Sequence, residues 1–274
     1  SVNGQYFAGY SSNGNIGYSS DSGATWIPRP LSGSRSWSGI AISDDGSKIF
    51  AYVYQGNIFH SLDSGLSWVT DTSAGSRNWA AIKISLNGSK IVACPYGDYI
   101  MISSDSGTSW TPAIGAGNRS WRSLSMSYDG TKILAGDYNN LYYTSDGGST
   151  WNAVVYPDGI TSWTSGLISG NGTTLFGCSD KTVYRSTDGG ATWVAGQAIS
   201  GSSTPSYRLG ACSQDGSRLI MDYDQSFTIS TDSGSTWSSY SRANVYYSGA
   251  PTISADGKTI VFINNSTKYT YNGD

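Results

Sequence analysis

The chain has 274 residues, 38% hydrophobic and only 13% charged, with a formal net charge of −3. So little charge presents no basic surface to nucleic acid or an acidic membrane, and no apolar run approaches the roughly 18 residues of a membrane-spanning helix. All 19 acidic residues are aspartate; the missing glutamate, a good helix former and the commonest acid/base of glycosidases, argues with 35 glycines for strands and turns.

Taken along the chain, "SVNGQYFAGY" at the start carries no basic stretch followed by an apolar one, so no signal peptide is expected there. Strands are predicted at "GQYFAGY" (4–10) and "NIGYSS" (15–20), and the second runs into "SSDSGATW" (19–26). That octapeptide returns as "SLDSGLSW" (61–68), "SSDSGTSW" (103–110), "TSDGGSTW" (144–151), "STDGGATW" (186–193) and "STDSGSTW" (230–237). Its aspartates, Asp21, Asp63, Asp105, Asp146, Asp188 and Asp232, stand 42, 42, 41, 42 and 44 residues apart. A fixed period of this length marks a repeat architecture.

Each repeat holds four short apolar runs bounded by Gly, Asn or Asp. An A strand ends at a tight-turn signal, as in "WSGIAISDDG" (37–46) or "WAAIKISLNG" (79–88); a B strand such as "KIFAYVY" (48–54) and a C strand such as "GNIFHS" (56–61) follow. The D strand starts at the tryptophan of the octapeptide. Four antiparallel strands per roughly 42 residues predict an all-β chain, a β-propeller of four-stranded blades forming one domain over residues 1–274. The inventory begins in a B strand and ends with A, B and C, which favours six blades, with seven possible. Six would be closed by uniting the N-terminal B, C and D strands with the A strand "APTIS" (250–254), leaving 258–274 as a surplus hairpin. Asp274 aligns with the aspartate of a further copy, which leaves open that the array continues.

The pattern S-x-D-x-G-x-[ST]-W resembles the Asp box, or bacterial neuraminidase repeat, found in sialidases, sortilin-type receptors, photosystem assembly factors and propeller lectins. The resemblance covers essentially the whole chain and implies that the box joins strands C and D. The residue choice fits a self-satisfied turn: hydroxyl and carboxylate can accept backbone N–H groups, Gly permits positive φ, and Trp buries a ring between sheets. Six Ca²⁺ sites are a poor alternative, because each box brings one carboxylate and Ca²⁺ takes six to eight oxygens. No metal and no cofactor is expected.

Candidate ligand groups fall on the opposite face, at the D–A crossings and B–C loops. The crossings read "GSRSW", "GSRNW" and "GNRSW", giving the pairs Arg35/Trp37, Arg77/Trp79 and Arg119/Trp121; the fourth keeps Trp163, and the fifth has Tyr207 in its place. The loops add Tyr54, Tyr96, Asp98, Tyr138 and Asn139. Rings, guanidinium forks and polar acceptors suit a sugar, and repetition would give several weak sites acting together. The alternative for the crossings is structural: Trp wedged between blades with Arg stacked on it or capping carbonyls. A sialidase would need, by resemblance, a glutamate-assisted tyrosine and an arginine triad, and the nearest match to its signature, "IPRPL" around Arg29, is not it. An Asp-dependent glycosidase using Asp137, Asp222 or Asp224 stays as a minor alternative. The leading expectation is a non-catalytic, lectin-like protein meeting glycans or glycoproteins, with a protein-interaction scaffold or assembly factor second, and secretion the expected location. Cys94, Cys178 and Cys212 are an odd number and read as small buried residues; His60 is the only histidine.

Overall fold

The computed structural model describes the chain except residues 2, 12, 158, 180–181, 200–207, 224–225, 242–250, 265–266 and 273–274. Two compact units divide it: Ser1–Leu124 with Tyr128–Thr131 and Ser145–Trp151, and Ser125–Ser127, Lys132–Thr144 and Asn152–Asp274. Apart from two single-turn 3₁₀ segments, Pro30–Ser32 and Ile114–Ala116, every described element is a strand.

The first unit carries three antiparallel sheets. The first pairs Phe7–Tyr10, Ile16–Ser19 and Ile27–Arg29. The second pairs Trp37–Ile42, Ile49–Val53, Ile58–Ser61 and Val69–Asp71. The third pairs Trp79–Ile84, Ile91–Asp98, Met101–Ser103 and Thr111–Pro112, and Arg119–Ser120 adds to the end of Ile91–Asp98. The fourth sheet holds Ser123–Met126, Ile133–Gly136, Leu141–Thr144 and Asn152–Ala153. The fifth holds Ser165–Ile168, Leu175–Ser179, Thr182–Ser186 and Val194–Ala195, and the sixth Arg208–Cys212, Leu219–Tyr223, Ser226–Ser230 and Ser238–Ser241.

The last three strands correct the expected six-blade closure. Thr252–Ile253 pairs with Thr259–Asn264, which pairs with Thr267–Asn272, so these last two strands, expected as a surplus hairpin, contribute to a seventh sheet. The turn between the first two decides this locally. Gly257 takes φ 73°, Ser254 Oγ donates to Asp256 Oδ1 at 2.6 Å, and Lys258 N donates to the same oxygen at 3.0 Å. That turn folds the strand onto its successor.

The second strand of a sheet is buried on both faces, which is why it reads as an unbroken apolar run: Ile49, Phe50 and Ala51, or Ile91, Val92, Ala93 and Cys94. In the first unit Phe50, Tyr52, Ile58, Trp79, Ile82 and Trp110 share one core. In the second, Leu167, Phe176, Cys178, Leu219 and Met221 form another. Outer strands are short and sometimes carry proline, as Pro28 and Pro112 do, which discourages pairing with foreign strands.

The repeated octapeptide is a closed hydrogen-bonding turn. Ser61 Oγ donates to Asp63 Oδ1 at 2.7 Å and accepts from Gly65 N at 2.8 Å, while the Asp63 carboxylate accepts Ser67 N at 2.8 Å and Ser67 Oγ at 2.5 Å. The copies at Asp21, Asp105, Asp188 and Asp232 repeat that set, and Asp146 accepts from Thr150 in the same way. Positive φ falls on two consecutive residues, Ser64 (60°) and Gly65 (83°), where the sequence pointed only to the glycine.

Candidate functional site

The crossings of the first unit are built by one recipe. Gly33, Gly75 and Gly117 take φ of 75–81° and close a turn onto the carbonyl three residues back. The arginine two residues later then returns its guanidinium to a carbonyl of that same turn: Arg35 Nη1 to Ser32 O, Arg77 Nε to Ala74 O at 2.8 Å, and Arg119 Nε to Ala116 O at 3.0 Å. Each arginine also touches the B–C loop before it. Arg35 N donates to Gly14 O, Arg77 N to Gly56 O at 3.0 Å, and the Arg119 main chain lies opposite Asp98 in an antiparallel strand pairing. The arginines therefore set the crossing against the preceding loop.

The tryptophans belong to the interior. Trp37, Trp79, Trp121 and Trp163 are between 0 and 4% exposed. Trp37 Nε1 donates to Gly14 O at 3.1 Å and Trp79 Nε1 to Gly56 O at 2.9 Å. The Arg35 guanidinium lies 4.3 Å from the Phe59 ring centre and 5.6 Å from that of Trp37; Arg77 lies 5.9 Å from that of Trp79. In the second unit Trp163 packs among Tyr156, Tyr184 and Trp193, and the Cβ that Gly177 lacks would sit 2.4 Å from its ring. As stacking platforms for a sugar, these four indoles are thus corrected to wedges, because no open ring face is left.

What stays exposed is the tyrosine of the loops. Tyr54 is 50% exposed, Tyr96 39% and Tyr138 60%. In the first unit Tyr54 and Tyr96 meet edge to face, with centroids 6.5 Å apart and planes at 75°. A second rung runs beside them: Arg77, whose main chain holds Gly56 two residues from Tyr54, pairs through Nη1 with Asp98, two residues from Tyr96. The other Asp98 oxygen accepts Tyr99 N at 2.8 Å. Beneath, the buried Tyr52 donates its hydroxyl to Ala80 O at 2.8 Å, and burial, with Cys94, Tyr10 and Tyr96 nearby, pushes that phenol up. The arrangement is a two-rung bridge between adjacent loops, able to hold a ligand through ring contacts and fixed polar groups. Tyr138 and Asn139 belong to the equivalent loop of the second unit, where the Asn139 carbonyl accepts Trp163 N at 2.8 Å and the Tyr156 hydroxyl at 2.7 Å.

Nothing among the described residues assembles a catalytic carboxylate pair on these loops. The Asp137 carboxylate accepts Asn139 N, Asn140 N and Asn140 Nδ2 of its own turn. Asp224, Tyr207 and the side chain of Asp222 lie outside the described residues. No motif in the sequence marks the histidine. His60 is buried with Nδ1 2.9 Å from Asp71 Oδ1, stacked on Phe50, and burial raises the Asp71 carboxyl above its ordinary value while His60 draws it back. Also missed were the cations ahead of the B strands. Lys48 Nζ donates to Asn87 O at 2.9 Å, Lys90 Nζ to Gly147 O at 2.8 Å, Lys132 Nζ to Gly172 O at 2.8 Å, and Arg218 reaches Gly257 O. Their signal was a basic residue just after the A–B turn, in "GSK", "GTK" and "GSR". Cys94 and Cys178 are buried as expected; Cys212 is half-buried, its Sγ 3.2 Å from Ile168 O.

No family model matches the sequence, and no curated protein matches it. Among solved structures the chain is similar to YCF48 bound to D1 peptide (TM-score 0.72, 15% identity, covering 100% of this chain and 91% of that one). It is similar to YCF48 from Cyanidioschyzon merolae (TM-score 0.72, 13% identity, 99% and 92%). It also resembles an ancestral GH74 enzyme (TM-score 0.68, 13% identity, 100% and 44%) and the GH74 xyloglucanase from Xanthomonas campestris (TM-score 0.68, 13% identity, 97% and 50%). The chain spans about half the length of those two enzymes. Likeness at these identities is likeness of fold, and the fold is a β-propeller.

Proposed function

We propose that the chain is a non-catalytic binding propeller of the Asp-box kind, and that it takes a polypeptide segment of a partner protein on the loops bridged by Arg77. The observation that carries this reading is the division of the aromatics: the crossing indoles are buried, whereas Tyr54 and Tyr96 stand open beside the Arg77–Asp98 pair. Aromatic rings with a nearby guanidinium are the residues that most often anchor protein partners. The similarity to YCF48, whose structure holds a peptide, is in keeping with it.

A glycan is the second reading. It is favoured by the exposure of tyrosine at one loop position in three successive repeats, Tyr54, Tyr96 and Tyr138, which would suit weak multivalent binding. Peptide and glycan arrays probed in parallel with the parent protein and with Tyr54→Ala decide between them. Peptide binding that the variant loses supports the first reading; binding confined to the glycans overturns it in favour of the second.

A further inference from the structure

We infer that the segment taken at Tyr54 and Tyr96 is proline-rich and bound in the extended polyproline II form; this rests on reading the site as a polypeptide site. The two rings stand at 75° with centroids 6.5 Å apart, and both are exposed, so together they make two walls of a notch. A hexose stacks flat on one open ring face, and a second ring set at a right angle obstructs it. A pyrrolidine ring is a compact, puckered ridge that touches both walls at once.

The polar groups point the same way. Among the described residues the hydroxyls of Tyr54 and Tyr96 make no hydrogen bond, which leaves two donors for a ligand. A polyproline II chain has no internal hydrogen bonds, so its carbonyls face outward, and its prolines bring no N–H in need of an acceptor. Asp98 offers little spare acceptor capacity, since one oxygen is held by Arg77 and the other by Tyr99 N. The same ion pair neutralises the Arg77 charge locally, so the notch suits an uncharged stretch better than an acidic one. A segment that is already extended also loses little conformational freedom on docking.

The test is isothermal titration of the protein with a decaproline peptide and with a glycine–serine peptide of equal length. Decaproline is expected to bind and the flexible peptide not. Tyr54→Ala should weaken decaproline at least about tenfold, Tyr54→Phe less, and Leu66→Ala, on an exposed turn elsewhere, not at all. Unchanged thermal unfolding of each variant certifies the fold. Equal binding of the two peptides, lost in Tyr54→Ala, overturns the proline inference while the polypeptide site stands. Failure of both peptides, together with peptide arrays that show no Tyr54-dependent signal, overturns both.

Discussion

At the scale of the residue, hydroxyl–carboxylate pairs decide local geometry. Ser103 Oγ is buried, donates to Asp105 Oδ1 at 2.7 Å and accepts Gly107 N at 2.9 Å. Removing that oxygen leaves a buried N–H without a partner, so Ser103→Ala should cost about 1–3 kcal/mol in urea unfolding. Asp71 obeys a different balance. Its raised pKa means that its contribution to stability is present at low pH and lost as pH rises through the folded-state value. Asp71→Asn keeps an acceptor for His60 Nδ1 and removes the buried charge, so its stability should improve relative to the parent as pH rises from the ordinary carboxylate value of about 4 upward. Denaturation midpoints across that range that move in parallel for the two proteins would refute this.

At the scale of the element, the crossing and the loop part company energetically. Trp79 is fully wedged and hydrogen-bonded, so Trp79→Ala should cost about 3–5 kcal/mol. Tyr54→Ala, at an exposed tip, should change stability by no more than about 0.5 kcal/mol. Denaturant unfolding of the two variants checks the contrast. This is also where legibility in the sequence stops. Period and turn chemistry are local, so the strands, the box turns and the tight A–B turns could be read directly. Whether an indole beside an arginine faces solvent or a neighbouring sheet depends on packing between residues far apart, and "GSRSW" looks the same either way. The notch was half visible: Tyr54, Tyr96, Arg77 and Asp98 each stood out by type, but nothing in the sequence set Arg77 on Asp98 or the two rings at a right angle. His60 and Asp71 could not be paired from a spacing of eleven residues across a turn.

At the scale of the whole molecule, repetition multiplies small effects. Hydrogen bonds from Thr25, Ser109 and Thr192, chiefly, hold the Asp21, Asp105 and Asp188 carboxyls down at about 2. A depressed folded-state pKa contributes stability above the unfolded value of about 4 and loses it as pH falls toward the folded one. Because the boxes repeat, the losses coincide. The urea midpoint should therefore fall steeply between about pH 4 and 2, below the range in which Asp71 acts; an acid decline that begins near neutrality would count against the boxes as its cause.

The basic side chains ahead of the B strands give the array a direction. Lys48, Lys90, Lys132 and Arg218 each fasten to a carbonyl further along the chain. Every repeat so tethered leans on its successor, like tiles lapped one way on a roof. Stripping repeats from the C-terminal side therefore unhooks the cation of the repeat that remains, whereas stripping them from the N-terminal side leaves every surviving hook engaged.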